Sequence, residues 1–330
     1  MIPTRSAPQV ALLTLALGLL AGCGNPGKTV SPGGGDTGGN HLVVFASDRN
    51  QTAGQLDLYL YDLDAQGFRA ILNINSALVP DLNPSISSDG LVIAFESNRG
   101  GTGQSDILLY SRALQRLIDL PGVNTAADEI EPSITGDAAK LAFARSTAGV
   151  KRVHMVDGVG DTLLPLAGLD TTATFSDWSP SPDQTGARIA FVSDRNGTPD
   201  IFVWDRVART VLNLPDLISP GNDVDPSLTP DGRLVCFASD RSGGMGGYDL
   251  YLYNINTKAL ITLPAVFNST ADERHPSVSR SGDIVVFQSN RSGGSGLWDL
   301  YNGRISTNSV GRGTQQSSSA DDVDPSLMYP

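Results

Sequence analysis

The stretch that decides the fold reads Asp223-Val-Asp-Pro-Ser-Leu-Thr-Pro-Asp-Gly-Arg-Leu-Val-Cys-Phe-Ala-Ser-Asp-Arg241, and after a glycine-rich interval continues as Asp249-Leu-Tyr-Leu-Tyr253. Pro230-Asp231-Gly232 sits between two apolar runs, and proline's fixed φ with glycine's freedom predicts a tight hairpin there. In the second run Val235 and Phe237 flank the small Cys236, the pattern of a buried strand with a slot for a small residue on its other face. The third run, rich in aromatic and aliphatic residues, predicts a further strand.

The same unit recurs from His41 onward. Phe-x-Ser-x-Arg appears at Phe45 to Arg49, Phe95 to Arg99, Phe191 to Arg195, Phe237 to Arg241 and Phe287 to Arg291, with Phe143-Ala-Arg-Ser146 as a worn copy. Successive phenylalanines are 50, 48, 48, 46 and 50 residues apart. Pro-Ser followed by an apolar residue recurs at Pro84, Pro132, Pro226, Pro276 and Pro325, and Ser176 to Pro180 stands in the remaining place. Leu-Pro pairs at Leu120, Leu214 and Leu263 are read as closing a fourth, outer strand, where proline withholds a donor from neighbouring chains. Four strands per repeat of about 48 residues, six times over, predict an all-β, six-bladed β-propeller of four-stranded blades. No repeat shows the 3.6-residue apolar period an α-solenoid needs. The chain enters at a second strand, Leu42 to Ser47, and the missing first strand reappears at Asp324 to Met328. The C-terminal strand is therefore expected to complete the N-terminal blade and close the ring.

These motifs resemble the WD-like repeat of TolB-type six-bladed propellers, over residues 41 to 330. The resemblance implies a propeller of the kind found in binding proteins, in periplasmic partners of lipoproteins and in front of peptidase domains. TolB-type proteins carry an α/β domain ahead of the propeller, where this sequence offers only a linker.

Residues 1 to 23 read as an export signal: Arg5 precedes the apolar run Val10 to Leu20, too short to span a bilayer comfortably, and Leu20-Ala21-Gly22-Cys23 follows. That tetrapeptide resembles a bacterial lipobox, which makes Cys23 the expected lipidation site and a membrane the expected partner. Several acyl chains anchor firmly, since each buried methylene adds about 0.8 kcal/mol. Gly24 in place of Asp favours the outer membrane in lipoproteins of this kind, facing the periplasm or the cell surface. Residues 24 to 40 are Gly-, Pro- and Ser-rich and read as a flexible tether reaching roughly 20 to 25 Å.

Composition bounds the partners. The 330 residues carry 23 Lys+Arg against 35 Asp+Glu, a net charge of -12. Residues 1 to 22 carry Arg5 and no acid, so their removal leaves -13. A nucleic-acid backbone is excluded as a natural partner, because phosphate contacts need clustered cations. Two cysteines support neither a disulfide framework nor a multi-Cys metal site. Cys236, in a slot held elsewhere by Ala or Val, reads as an inert core residue.

An acidic segment precedes each Pro-Ser anchor and is expected to be a loop at one mouth of the central channel. It supplies the candidate binding residues Asp81, Glu129, Glu131, Asp223, Asp225, Glu273, Asp322 and Asp324. Gathered carboxylates repel, which a hard cation such as Ca2+ or a basic partner would relieve. The alternative is that each acid pairs with its own repeat's arginine: Arg49, Arg99, Arg195, Arg241 or Arg291. Tyr248 and Trp298 close the glycine-rich intervals Arg241 to Asp249 and Arg291 to Asp299, expected to be flexible hairpin loops at the same rim, and are candidate contact residues. The third and fourth repeats depart from the pattern, bringing Lys151, Arg152, His154, Phe175 and Trp178, a sector for docking or for drift.

His41, His154 and His275 are scattered, and no HExxH, GxSxG or Cys-His arrangement appears, so no catalytic residue is assigned. The expected function is a monomeric, membrane-anchored envelope lipoprotein whose propeller is a scaffold binding a protein or peptide. Two alternatives stay open: a carbohydrate-active or other envelope enzyme using channel carboxylates, and a structural propeller holding a stabilising cation.

Overall fold

The computed structural model describes residues 41–49, 55–76, 78–100, 104–118, 120, 122–157, 162–169, 174–312 and 319–328. The expected signal segment, Cys23 and the tether lie outside the described residues. Six antiparallel sheets form a six-bladed β-propeller. The first blade comprises β1 (Leu42–Ser47), β2 (Asp57–Asp62) and β3 (Gly67–Arg69). The second has β4 (Asp81–Ile86), β5 (Val92–Ser97), β6 (Asp106–Ser111) and β7 (Arg116–Ile118), and the third β8 (Asp128–Ile134), β9 (Lys140–Thr147) and β10 (Val150–Asp157). In the fourth are β11 (Asp177–Pro182), β12 (Arg188–Ser193), β13 (Asp200–Asp205) and β14 (Thr210–Val211), and in the fifth β15 (Asp223–Leu228), β16 (Leu234–Ser239), β17 (Asp249–Asn254) and β18 (Ala259–Ile261). The sixth holds β19 (Glu273–Val278), β20 (Ile284–Ser289), β21 (Asp299–Arg304) and β22 (Ser309–Arg312), and β23 (Asp322–Leu327) then returns to the first blade.

Closure is as the repeat phase predicts: the first sheet has the order β23-β1-β2-β3, with Val43 opposite Leu327 and Ser47 opposite Asp322. The third blade differs from the four-stranded rule. Its β9 and β10 are eight residues long, joined through Ala148 (φ 51°) and Gly149 (φ 82°), and the single bridge Val156 to Leu163 stands where the others have an outer strand. Two successive positive φ values give the turn whose twist matches a hairpin. The Leu-Pro pairs also lie beyond the outer strands, not in them. Leu120 and Leu214 plug the core, and the outer strands of the five four-stranded blades are blunted by shortness, two to four residues each.

The core lies between blades. All six repeat phenylalanines, Phe45, Phe95, Phe143, Phe191, Phe237 and Phe287, are fully buried, and each cluster joins residues of adjacent sheets. Cys236 is fully buried among them, and burial pushes its thiol up to about 12, which keeps it protonated and unreactive.

Every innermost strand runs from the same end of the ring to the other. Because β1 starts at Leu42 on the far side and ends at Ser47 beside Asp322, the chain enters the ring on the face opposite the acidic residues.

Candidate functional site

The expected acidic loops belong to the innermost strands themselves, and each is broken by a β-bulge. The pairing shifts between Leu82 and Ser85, Ile130 and Ser133, Trp178 and Ser181, Val224 and Ser227, Arg274 and Ser277, and in the closing strand at Val44 and Ala46 of β1. The residue before the proline of each bulge takes a left-handed conformation: Asn83, Glu131, Ser179, Asp225, His275 and Asp324, with φ between 46° and 54°. Residues two apart on a regular strand share a face; the bulge turns them apart and creates two acidic layers with different surroundings.

The outer layer consists of Asp81, Glu129, Asp177, Asp223, Glu273 and Asp322, all buried. Each pairs with an arginine of its own blade: Arg99 at 2.5 Å, Arg145 at 2.6 Å, Arg195 at 2.8 Å, Arg241 at 2.8 Å, Arg291 at 3.0 Å and Arg49 at 2.6 Å. Each guanidinium also lies over its repeat's phenylalanine, 4.9 to 5.5 Å from the ring centre. The serine of the motif joins them: Ser239 Oγ accepts from Arg241 Nε and donates to Asp223, and Ser47 and Ser289 do the same. Phe-x-Ser-x-Arg is therefore a clamp that holds the innermost strand to the second. Sequence reading missed two of its members. Asp177 fills the acid's place in the fourth repeat, among Phe175 and Trp178, and Arg145, two positions early in the worn copy, stands directly opposite Glu129 in the strand register. Burial raises the Asp322 carboxyl to about 6 despite Arg49 and Ser47, with Asp299 adding repulsion.

The inner layer lines the channel, a cavity of about 180 Å³ whose walls are the six Pro-Ser segments and the six left-handed residues. Of the sequence candidates, Glu131, Asp225 and Asp324 stand here; Asp81, Glu129, Asp223, Glu273 and Asp322 do not line it. Neighbouring blades are linked across the mouth. Ser179 N donates to Glu131 (2.6 Å), His275 N to Asp225 (3.2 Å), Glu131 N to Glu96 (3.2 Å) and Asp324 N to Gln288 Oε1 (2.8 Å). His275 stands between two carboxylates, Nδ1 3.3 Å from Asp324 and Nε2 3.7 Å from Asp225. Arg274 Nε donates to Asp225 at 2.6 Å. Burial pushes the Asp225 carboxyl up, but His275 and Arg274 outweigh it and hold it below the usual range. Burial raises Asp324, His275 opposes and Asp225 adds repulsion; burial also raises Glu131, which Lys151 at 3.7 Å only partly offsets. Lys151 also lies over Trp178, 5.5 Å from the ring centre, so the third and fourth repeats give the mouth an asymmetric corner. Among the described residues no three His, Cys, Asp or Glu side chains form a metal-binding group.

Tyr248 is half-buried under Arg274, whose guanidinium lies 4.2 Å from its ring centre, and Trp298 is half-buried. Their backbone N–H groups donate to Asp272 and Asp321. The glycine-rich intervals are tied down rather than loose. Asp249 Oδ2 accepts from Met245 N and Gly246 N, Asp299 Oδ2 from Ser295 N and Gly296 N, and a Cβ on Gly244 or Gly294 would collide with those carboxylates. Met245 and Leu297 project from these loops, 55% and 76% exposed.

Comparison with known proteins agrees with the fold. No family model matches the chain. The Tol-Pal system protein TolB of Bordetella pertussis is 27% identical over 189 residues, 43% of this chain and 42% of that protein. TolB of Francisella tularensis subsp. tularensis is 25% identical over 208 residues, 59% of this chain and 44% of that protein. The crystal structure of TolB from Acinetobacter baumannii superposes with a TM-score of 0.67 at 20% identity, over 88% of this chain and 66% of that one. The propeller is TolB-like. The chain spans less than half the length of the curated TolB relatives it matches. In this TolB-like propeller the bulge ring supplies the titratable side chains that line the channel, beside the serines of the Pro-Ser segments, and the buried acid-arginine clamps lie outside it.

Proposed function

We propose that the protein is an envelope scaffold, anchored to a membrane through lipid on Cys23, that takes a protein or peptide partner at its channel mouth. The observation that carries this reading is the bulge ring. Six non-glycine residues are held left-handed before prolines, a conformation that costs on the order of 1–3 kcal/mol each and concentrates where backbone strain serves function. The ring places Glu131, Asp225, His275 and Asp324 around one opening, with Asp225 held by Arg274, while the outer-layer carboxylates carry the clamp ion pairs. That division leaves the ring open to hydrogen-bond and ion-pair a segment entering the channel.

The Tol-Pal TolB relatives support an envelope location and a protein partner. With the chain entering on the opposite face, a tether from Cys23 would attach away from the mouth. Simultaneous Glu131→Gln, Asp225→Asn, His275→Asn and Asp324→Asn substitution tests the reading by cross-linking in native membranes. The variant is expected to fold and to lose the partner that the wild type captures; capture of the same partner at the same yield contradicts the proposal.

A further inference from the structure

Two residues beyond the third strand's aromatic position, the chain donates its N–H to the segment leading into its blade's second strand. Leu63 donates to His41 O, Arg112 to Leu91 O, Arg206 to Ala187 O, Ile255 to Arg233 O and Ile305 to Asp283 O. Arg206 is exposed, whereas Leu63, Ile255 and Ile305 pack against the hydrophobic core. Arg112 takes this position in the second blade and is half-buried. Its Nη1 donates to Gly90 O at 2.5 Å. Gly90 has φ +68°, like the glycines of the equivalent turns at Gly186, Gly232 and Gly282, and a Cβ there would come within 2.6 Å of Met328 Sδ and 3.2 Å of Arg112 Nη1.

Among the described residues no carboxylate forms an ion pair with Arg112. The neighbouring Asp89 is turned to Ser87 Oγ and Leu91 N, and Arg69, the other guanidinium nearby, is held by Asp62. Arg112 lines a cavity of about 240 Å³ between the first two blades, with Ala70, Leu72, Leu91, Tyr110, Ala113 and Gln115. The Tyr110 hydroxyl is committed to Leu72 O, so the guanidinium and the Gln115 amide are the polar side chains left to a guest. Burial pulls the guanidinium's proton affinity down and Arg69 adds repulsion, against the weaker pull of Tyr110 and Asp89.

We propose that this cavity binds a small organic carboxylate, its oxygens on the Arg112 guanidinium and its apolar flank against Leu72, Leu91 and the Tyr110 ring. A planar guanidinium matches a carboxylate in a bidentate pair. A volume below the roughly 300 Å³ at which drug-sized pockets begin limits the guest to a small acid of about the size of benzoate. The site lies apart from the channel, so it stands or falls independently of the partner-binding reading.

Benzoate titration of the full chain at constant ionic strength, followed by calorimetry and thermal unfolding, tests it. The wild type is expected to show saturable binding and a rising melting temperature. Arg112→Leu, carrying the residue the first blade already has at this position, is expected to fold and lose the response; Arg112→Lys is expected to bind at least tenfold more weakly. No saturable response in the wild type, an undiminished response in Arg112→Leu or Arg112→Lys, or an equal shift with sodium chloride in place of benzoate would overturn the proposal.

Discussion

Asp223 and Asp225 are two residues apart and have different roles. Asp223 is sealed between Arg241 and Ser239, while Asp225 meets Arg274 and His275 at the channel. Removing one partner of a sealed pair strands a charge, so Arg241→Ala should cost about 3–5 kcal/mol in urea unfolding. Adding Asp223→Ala should then cost far less than it does alone, a coupling of at least about 1 kcal/mol. Additive losses would mean that the clamp does not act as a pair. The sequence shows both carboxylates and the arginine but not their separation, because period-two reasoning places Asp223 and Asp225 on one face. The proline inside an innermost strand was the available sign of a bulge. Asp177 was hidden by the aromatic and proline residues around it, and Arg145 by its shift of two positions.

Innermost strands are stitched to one another by the serines of Pro-Ser. Ile134 N donates to Ser85 Oγ, Leu228 N to Ser181, Val278 N to Ser227, Leu327 N to Ser277 and Ile86 N to Ser326, at 2.9 to 3.2 Å. The sixth link, from β11 to Ser133, is missing because Pro182 has no N–H to give. Alanine at Ser85, Ser181, Ser227, Ser277 or Ser326 should therefore cost about 1 kcal/mol, whereas Ser133→Ala should stay within about 0.5 kcal/mol of wild type in chemical unfolding. An equal cost at all six serines would contradict this account of the stitch. The motif itself was plain in the sequence, since five copies carry Pro-Ser and the sixth Ser-Pro-Ser-Pro. Its purpose was not, because the donor belongs to the next blade about 48 residues away.

Over the whole molecule, repeat phase alone was enough to predict ring closure, because a chain that begins on a second strand must borrow its first from the other end. The last described segment buries Leu327 and Met328 and supplies Asp322 to Arg49, so deleting the final ten residues should lower the melting temperature strongly; an unchanged value would refute closure as the source of stability. Function was less legible than fold. A repeat repeats its structural residues most faithfully, so the acids most visible in the sequence include those buried in clamps, while the channel ring varies from blade to blade. The most direct test of the central claim places a photo-cross-linking residue at Asp324 in the mouth or at Asp231 on the opposite face, in the anchored protein within its native membrane. A single protein partner captured from Asp324 and absent from Asp231 is the predicted result; capture from Asp231 alone, or equally from both, would contradict a channel-mouth binding site.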